Sequence, residues 1–376
     1  MELFNIFKKG KALPTPTEAT KNQYKIAPGI SMSVSISNIS TFDAEVIPAE
    51  KRMKTAIASK HGLYPHEILV LDYAPSFYTS GNQFQGFWWY KYGVRDVQAI
   101  LHSLVKRGFL EIGDIRGALE KQTGAAIKDV LKAYGVKISG KKDDLVQRAL
   151  DEITEVELNR YFPRRTFKLT ALGQEDLKAE DYVPYIHKHG VEDLDIWSLN
   201  RLVHTEPYMP FRDKLWGYLN QQSMKHFSER NFGLYRNCRF NMSQFLKEEN
   251  KIMDSLAMLA EVVFFDLSGA TNNFDPQFLE IYAEGFFPYE NSLATTAPGI
   301  ILAISQCQEE LGYTDEELKF ALAEQMSKLS VPLQLFTVDE CVTIVLYERD
   351  GDKEALKKLY AKAKKTFKQK YPQIKI

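Results

Sequence analysis

The chain has 376 residues, 44% of them hydrophobic and 26% charged, a balance that excludes a disordered polyelectrolyte and predicts a folded core with room for more than one domain. A formal net charge of −1 excludes a uniformly basic surface but leaves local basic faces open, because binding responds to how charge is distributed. Cys238, Cys307 and Cys341 form neither a CxxC pair nor a small disulfide framework, and no apolar run reaches the roughly 18–20 residues of a membrane span, so a cytoplasmic chain without transmembrane association is expected.

Residues 1–55 read as an N-terminal extension. Its opening, MELFNIFKKGK, has no long apolar core with a cleavage site, so export through a standard signal is not expected. The stretch KKGKALPTPTEATKN at 8–22 is a basic entry segment, and the alternation in SMSVSISNIS at 31–40 suggests a short strand. HGLYPHEILVLDYAPSFY then supplies a short apolar element limited by proline. The aromatic cluster GNQFQGFWWYKYG at 81–93 reads first as a packed turn and second as a ligand platform, since aromatics serve both.

In VRDVQAILHSLVKRGFLEIG, the residues Val94, Val97, Ile100, Leu101, Leu104 and Val105 recur at helical spacing, Gly108 ends the run, and FLEI begins a strand. RRTFKLTALGQEDLKAED supplies a second strand at 165–169 and a helix from Thr170. These pieces resemble the helix, first wing strand and returning wing strand of winged helix-turn-helix proteins. Leu101, Leu104, Gly108, Phe109 and Leu110 carry the first match, and Arg164, Arg165, Leu169, Thr170 and Gly173 the second. An ordinary wing has a short loop, whereas here the whole segment between residues 113 and 165 stands between the strands.

Within that insertion, AAIKDVLKAYGVKISGKKDDLVQRALDEI predicts two short helices around an extended bridge. Ile127, Val130 and Leu131 form one apolar face, and Leu145, Val146 and Leu150 the other, with Ala149 at a close contact. Gly135 stops the first helix, and Ser139 with Gly140 turns into the second. Helices this short are marginal alone, so their faces must pack together or on the surrounding domain. The arrangement resembles the SAP domain, a helix-extended-helix module associated with DNA binding, through Leu131, Gly135, Val136, Gly140, Lys141, Lys142, Leu145, Val146 and Leu150.

Residues 121–150 hold seven Lys/Arg and three Asp/Glu, an excess of four positive charges. Lys137, Lys141, Lys142 and Arg148 are candidate phosphate contacts, assisted by backbone donors at the second helix start. Asp143 and Asp144 favour that helix end through its dipole. On the preceding helix Gln98, His102 and Lys106 share a face that can approach a groove, and Arg164 and Arg165 on the returning strand reach the backbone. The competing reading is that the lysines solubilise a protein-interaction module.

Beyond residue 180 the chain reads as mainly helical. YVPYIHKHGVEDLDIWSLNRLVH suggests strand, turn and helix, and its His187 and His189 lack a visible third metal ligand. Ile252, Leu256, Leu259, Val263 and Leu267 mark a buried helix, and Thr314 with Glu317 has capping-box spacing. TVDECVTIVLYERD fits either helix or strand, with Cys341 structural. The segment 351–376 carries nine lysines and two acidic residues, suiting nucleic acid, an acidic protein surface or a solvated helix, and less well a membrane surface. No Walker loop, dinucleotide fingerprint, HExxH site or nucleophile triad is visible, and the pairs Asp193/Asp195 and Asp315/Glu316 do not by themselves make a two-metal centre.

The sequence therefore predicts a predominantly helical α+β protein. A winged helix-like domain at 56–180 holds a SAP-like insertion at 121–155, and a mainly helical region at 181–376 follows. The expected function is noncatalytic DNA binding, as a regulator or scaffold, with duplex DNA as partner and no cofactor, metal or catalytic residue assigned. A protein-interaction scaffold, with a protein partner or a second copy, stays open, as does, further back, a nucleic-acid-processing enzyme.

Overall fold

A computed structural model describes residues 46–205, 207–271, 279–331 and 333–376. The expected entry segment at 8–22 and strand at 31–40 lie outside the described residues. The fold is mostly helical with a small two-stranded antiparallel sheet.

The first helices are α1 (Ala49–Arg52), α2 (Pro65–Tyr73), α3 (Phe87–Tyr90) and α4 (Val97–Lys106). Helix α2 buries Ile68, Leu69, Val70 and Leu71 in succession, the pattern of a helix enclosed on all sides. The aromatic segment forms the short helix α3, which packs through Trp88 while Tyr90 stays exposed. Trp88 is 1% exposed and meets Tyr73 edge to face at 5.4 Å, while Phe87 lies beside both Trp88 and Tyr92. Helix α4 starts at Asp96, whose carboxylate accepts from the Ala99 amide at 2.8 Å, and buries Val97, Leu101 and Leu104.

Strand β1 (Leu110–Ile112) leads into α5 (Ile115–Glu120), α6 (Gly124–Ala133), α7 (Lys142–Glu152) and α8 (Glu155–Tyr161) before β2 (Phe167–Leu169) returns. The strands pair antiparallel across this insertion, with Leu110 opposite Leu169, Glu111 opposite Lys168 and Ile112 opposite Phe167. An isolated bridge, Tyr78 to Thr166, extends the sheet toward the chain before α3. Helices α5 to α8 enclose a hydrophobic cluster of their own, built on Ile115, Leu119, Ile127, Leu131, Leu145 and Val146 and reaching Phe162. The expected pair of helices around an extended bridge is present as α6 and α7. Gly135 closes α6 at φ +69°, a conformation that suits glycine.

Helix α9 (Ala171–Ala179) follows β2 directly. Thr170 caps it, its hydroxyl accepting from Gly173 N at 3.2 Å and donating to Gly108 O at 2.7 Å. A Cβ on Gly173 would lie 2.2 Å from the Phe109 carbonyl oxygen, so this turn packs flush on the strand entry and demands glycine. The Thr-x-x-Gly spacing has that physical basis.

Next come α10 (Tyr182–His189), α11 (Ile196–Thr205), α12 (Phe211–Ser228) and α13 (Phe232–Glu248). The strand expected at YVPYI is instead α10. Tyr182, Val183 and Ile186 all face the core from a helix, so burial on one helical side overrides the β preference of these side chains. Pro184 is tolerated there because first-turn amides have no intrahelical partner. Residues from α2, α4, α10, α11, α12 and α13 share one core, including Leu69, Leu101, Ile186, Trp197, Leu219 and Met242.

The remaining helices are α14 (Ile252–Ser268), α15 (Leu279–Tyr282), α16 (Pro298–Leu311), α17 (Asp315–Met326), α18 (Val338–Asp350) and α19 (Lys353–Lys370). They form a second large core with α14 central, buried continuously from Leu259 to Ser268. Thr314 and Glu317 make the expected capping box: Glu317 accepts from Thr314 N at 2.8 Å, and Glu317 N donates to the Thr314 hydroxyl at 3.3 Å. The segment at 338–350 is helix, and Cys341 is buried in it.

Two buried ion networks tie α13 to α14. Arg236 grips Asp266 with two bonds of 2.7 Å. Arg239 pairs with Glu261 at 3.1 Å, and Glu261 also accepts from the Tyr235 hydroxyl at 2.8 Å. No described helix is long and apolar enough to cross a membrane.

Candidate nucleic-acid interface

The helix α4 stripe of Gln98, His102 and Lys106 repeats every four residues, placing the three side chains on one face. His102 and Lys106 are exposed and Gln98 is half-buried. Gln98 is engaged locally. Its amide donates to Thr79 O at 3.0 Å, its carbonyl accepts from Asn82 at 3.2 Å, and its nitrogen lies 3.0 Å from His102 Nε2. Asn82 in turn bonds both the amide and the carbonyl of Tyr78, at 2.9 and 2.6 Å. The turn at 78–82 is thereby fixed to the outer face of α4.

Arg164 reaches the same turn from the other side. Its guanidinium donates to Ser80 O at 2.9 Å and stacks on the Tyr78 ring at 3.7 Å. Lys121 from the insertion lies over that ring at 5.9 Å and donates to Ser76 O. The structure therefore brings Gln98, His102 and Arg164 around one turn, and adds Tyr78, Asn82 and Lys121, which the sequence reading did not select. Asn82 precedes no helix and follows a glycine, so its sequence signal is that of an ordinary turn residue.

Arg165 points inward, donating to Phe162 O at 2.9 Å and to the Asn159 side chain. It holds the end of α8 against the start of β2. Arg148 on α7 donates to Lys137 O at 2.7 Å and Ser139 O at 2.9 Å. It closes the extended bridge between α6 and α7. Lys142 donates to Glu120 O at 2.5 Å, tying α7 to the end of α5. Lys106, Lys137 and Lys141 differ from these: all three are exposed, and among the described residues their ammonium groups have no hydrogen bond or ion pair. Of the cations singled out by sequence, these are the ones open to an outside anion. At the start of α7, Asp144 accepts from Lys141 N at 2.9 Å, so this carboxylate serves the helix end.

A cleft of about 490 Å³ opens beside β2, lined by Arg116, Lys121 and Lys168 together with Asp114 and Glu120. Lys168 pairs across the sheet with Glu111 at 3.1 Å and Arg116 bonds Gln147 at 2.7 Å, so the cleft is of mixed charge rather than a basic pocket.

The other titratable groups singled out by sequence have local partners. His187 sits between two tyrosines, with Nε2 2.7 Å from the Tyr73 hydroxyl and Nδ1 2.6 Å from that of Tyr92. Burial, with help from the Lys91 charge, lowers its pKa to about 4. His189 faces Glu248 at 3.1 Å, and that bond raises its pKa. Asp195 caps α11 through the amides of Trp197 and Ser198, at 3.0 and 2.8 Å, and pairs with Arg52 at 2.7 Å. Asp315 is clamped by Arg349 through bonds of 2.6 and 2.9 Å, which holds its carboxyl well below the usual range.

Ser59, Asp176 and His61 also converge, but the carboxylate is in the middle. Asp176 accepts from the Ser59 hydroxyl at 2.7 Å and lies 2.6 Å from His61 Nδ1. Nucleophilic catalysis needs the imidazole between hydroxyl and carboxylate. The trio links the loop after α1 to α9.

No family model, curated protein or solved structure matches this chain.

Proposed function

We propose that the chain is a noncatalytic protein that binds duplex DNA through the outer face of α4, the returning strand and the start of the helical insertion, acting as a regulator or a DNA-associated scaffold. The observation that supports this reading best is the register of β1 with β2, which closes the insertion into a two-stranded ribbon directly after α4. The order of α2, the Tyr78 bridge, α3, α4, β1 and β2 parallels the helices and strands of winged helix-turn-helix proteins, with the SAP-like helices standing where the wing loop would be.

In this reading His102 approaches the groove, Lys106 at the groove edge and Lys137 and Lys141 on the insertion contact phosphate, and Arg164 backs the turn that shapes α4. Lysine suits phosphate as a point charge without selecting a base. Gln98, Arg148, Arg165 and Lys142 act as positioning residues, because each already bonds a protein group.

The test is anisotropy of a labelled duplex with the intact protein across a salt series, beside a Lys106→Gln/Lys137→Gln/Lys141→Gln variant. Three lost phosphate contacts should reduce the slope of log affinity against log salt by about 2.7, at roughly 0.9 per phosphate. An unchanged slope in the folded variant would reject this site. Absence of binding at low salt by either protein would reject the function.

A further inference from the structure

Helix α19 begins at Asp352, which accepts from Ala355 N at 2.9 Å, and continues for 18 residues, Lys353–Lys370. Leu356, Tyr360, Ala363 and Phe367, at 0, 0, 1 and 3% exposure, seat one side of it in the C-terminal core. At 3.6 residues per turn the rest of the helix surface carries Lys357, Lys358, Lys362, Lys364, Lys365 and Lys368, interspersed with Glu354, Ala361, Thr366 and Gln369. Two of these lysines are neutralised locally: Lys357 by Glu290 and Glu354, at 3.4 and 3.3 Å, and Lys362 by Glu340 at 3.0 Å. Lys358, Lys364, Lys365 and Lys368, of which Lys364 is half-buried and the others exposed, have no ion pair or hydrogen bond among the described residues. The last three lie within about 6 Å along the axis.

Three classes of partner make different demands on such a face. A membrane-surface helix must give its apolar side to lipid, and the apolar side of α19 is already packed in the core. A protein interface needs buried aromatic, Met or Arg anchors and is depleted in lysine. The exposed residues among these lysines are Glu354, Ala361, Thr366 and Gln369, none of which is such an anchor. A phosphate backbone asks only for accessible point charges. A duplex offers one phosphate charge per about 1.7 Å of its axis, enough to meet every free lysine along the helix.

We propose that the lysine face of α19 is a second docking surface, separate from the α4 and insertion site, that takes the phosphate backbone of duplex DNA without reading sequence. The surface stands on its own geometry, and the choice of DNA as the polyanion rests on the function proposed above. Its effect is to let the C-terminal helical region hold a duplex wherever it lands.

The test uses the intact chain with Lys364→Gln/Lys365→Gln/Lys368→Gln, and a second set changing the same residues to Arg. Gln and Arg are close to Lys in helix propensity, and circular dichroism checks that the helix persists. Salt-dependent anisotropy with a mixed-sequence DNA duplex should show weaker binding at low salt and a slope shallower by about 2.7 for the Gln set, with the Arg set unchanged. Repeating the Gln set on a chain that already carries Lys106→Gln, Lys137→Gln and Lys141→Gln separates the two sites. A further loss there supports α19 whether or not the first set had an effect. An unchanged slope overturns the proposal, even if the first set shifts binding. So does an effect confined to phosphatidylserine vesicles or to duplex RNA.

Discussion

Replacing Leu131 with alanine tests whether the insertion is a separately cohering unit. Leu131 is fully buried and lies in the cluster formed by α5 to α8, which shares no member with the two large cores. Leu→Ala at a buried site costs about 2.7–5.0 kcal/mol, depending on how well the site collapses. A unit the size of residues 115–162 is stabilised by roughly 2–7 kcal/mol, at 0.05–0.15 kcal/mol per residue. The substitution should therefore open the insertion locally while the rest stays folded. Hydrogen exchange with mass-spectrometric readout should show amides of α6 and α7 exchanging about 100-fold faster or more, with those of α2 and α14 unchanged. Protection lost in equal measure from α2, α7 and α14 would refute the reasoning, because the insertion would then be part of one cooperative unit. Protection in α7 that does not move would refute it as well.

Other expectations follow from single contacts. Gly173→Ala drives a Cβ into the Phe109 carbonyl oxygen and should destabilise the protein by about 1–3 kcal/mol or more in a denaturant melt. Lys214, 6% exposed, donates to Leu202 O and Val203 O at the end of α11; Lys214→Met should lower stability by about 1 kcal/mol, the cost of leaving half-buried carbonyls unpaired. Burial lowers the pKa of His66 from 6.5 to about 4. A depressed histidine is neutral when folded and charged when unfolded over that range, so its stabilisation is present above pH 6.5 and is lost as pH falls toward 4. His66→Phe, which keeps a ring beside Trp197, should reduce the pH dependence of stability there by up to about 1.4 kcal/mol per pH unit. Arg148→Ala removes both bonds that close the 137–139 bridge. It should speed exchange at those amides and weaken DNA binding by more than loss of one charge, as Lys141→Gln measures it.

Local signals in the sequence led to the right elements wherever the controlling contacts were also local. The run from Val94 to Val105 overlaps α4, which starts only after Asp96 and ends at Lys106, two residues before Gly108, and Thr170 with Gly173 marks a cap that the structure contains. The pairing of β1 with β2 was legible as two compatible strands, although only their register shows that the chain between them returns to the same ribbon. Tyr182 to Ile186 misled, since their β preference is overridden by a helical face that exists only once α10 meets the core shared with α2 and α11. The candidate site was half legible. Sequence identifies a cation but not its partner: Arg148 and Lys141 look equivalent in KISGKKDDLVQR, yet one is bonded to two carbonyls and the other is exposed. The Tyr78 turn was missed because its importance comes from Arg164 and Gln98 arriving from two other places in the chain.

Lysine footprinting tests the central claim most directly. The intact protein is acetylated with and without a saturating DNA duplex at low salt, and modification is read at each lysine by mass spectrometry. DNA binding through the α4 and insertion site predicts protection of Lys106, Lys137 and Lys141, with the paired Lys319 on α17 and Lys328 just after it unaffected. Equal modification of Lys106, Lys137 and Lys141 with and without DNA, under conditions where the duplex is bound, would contradict the account.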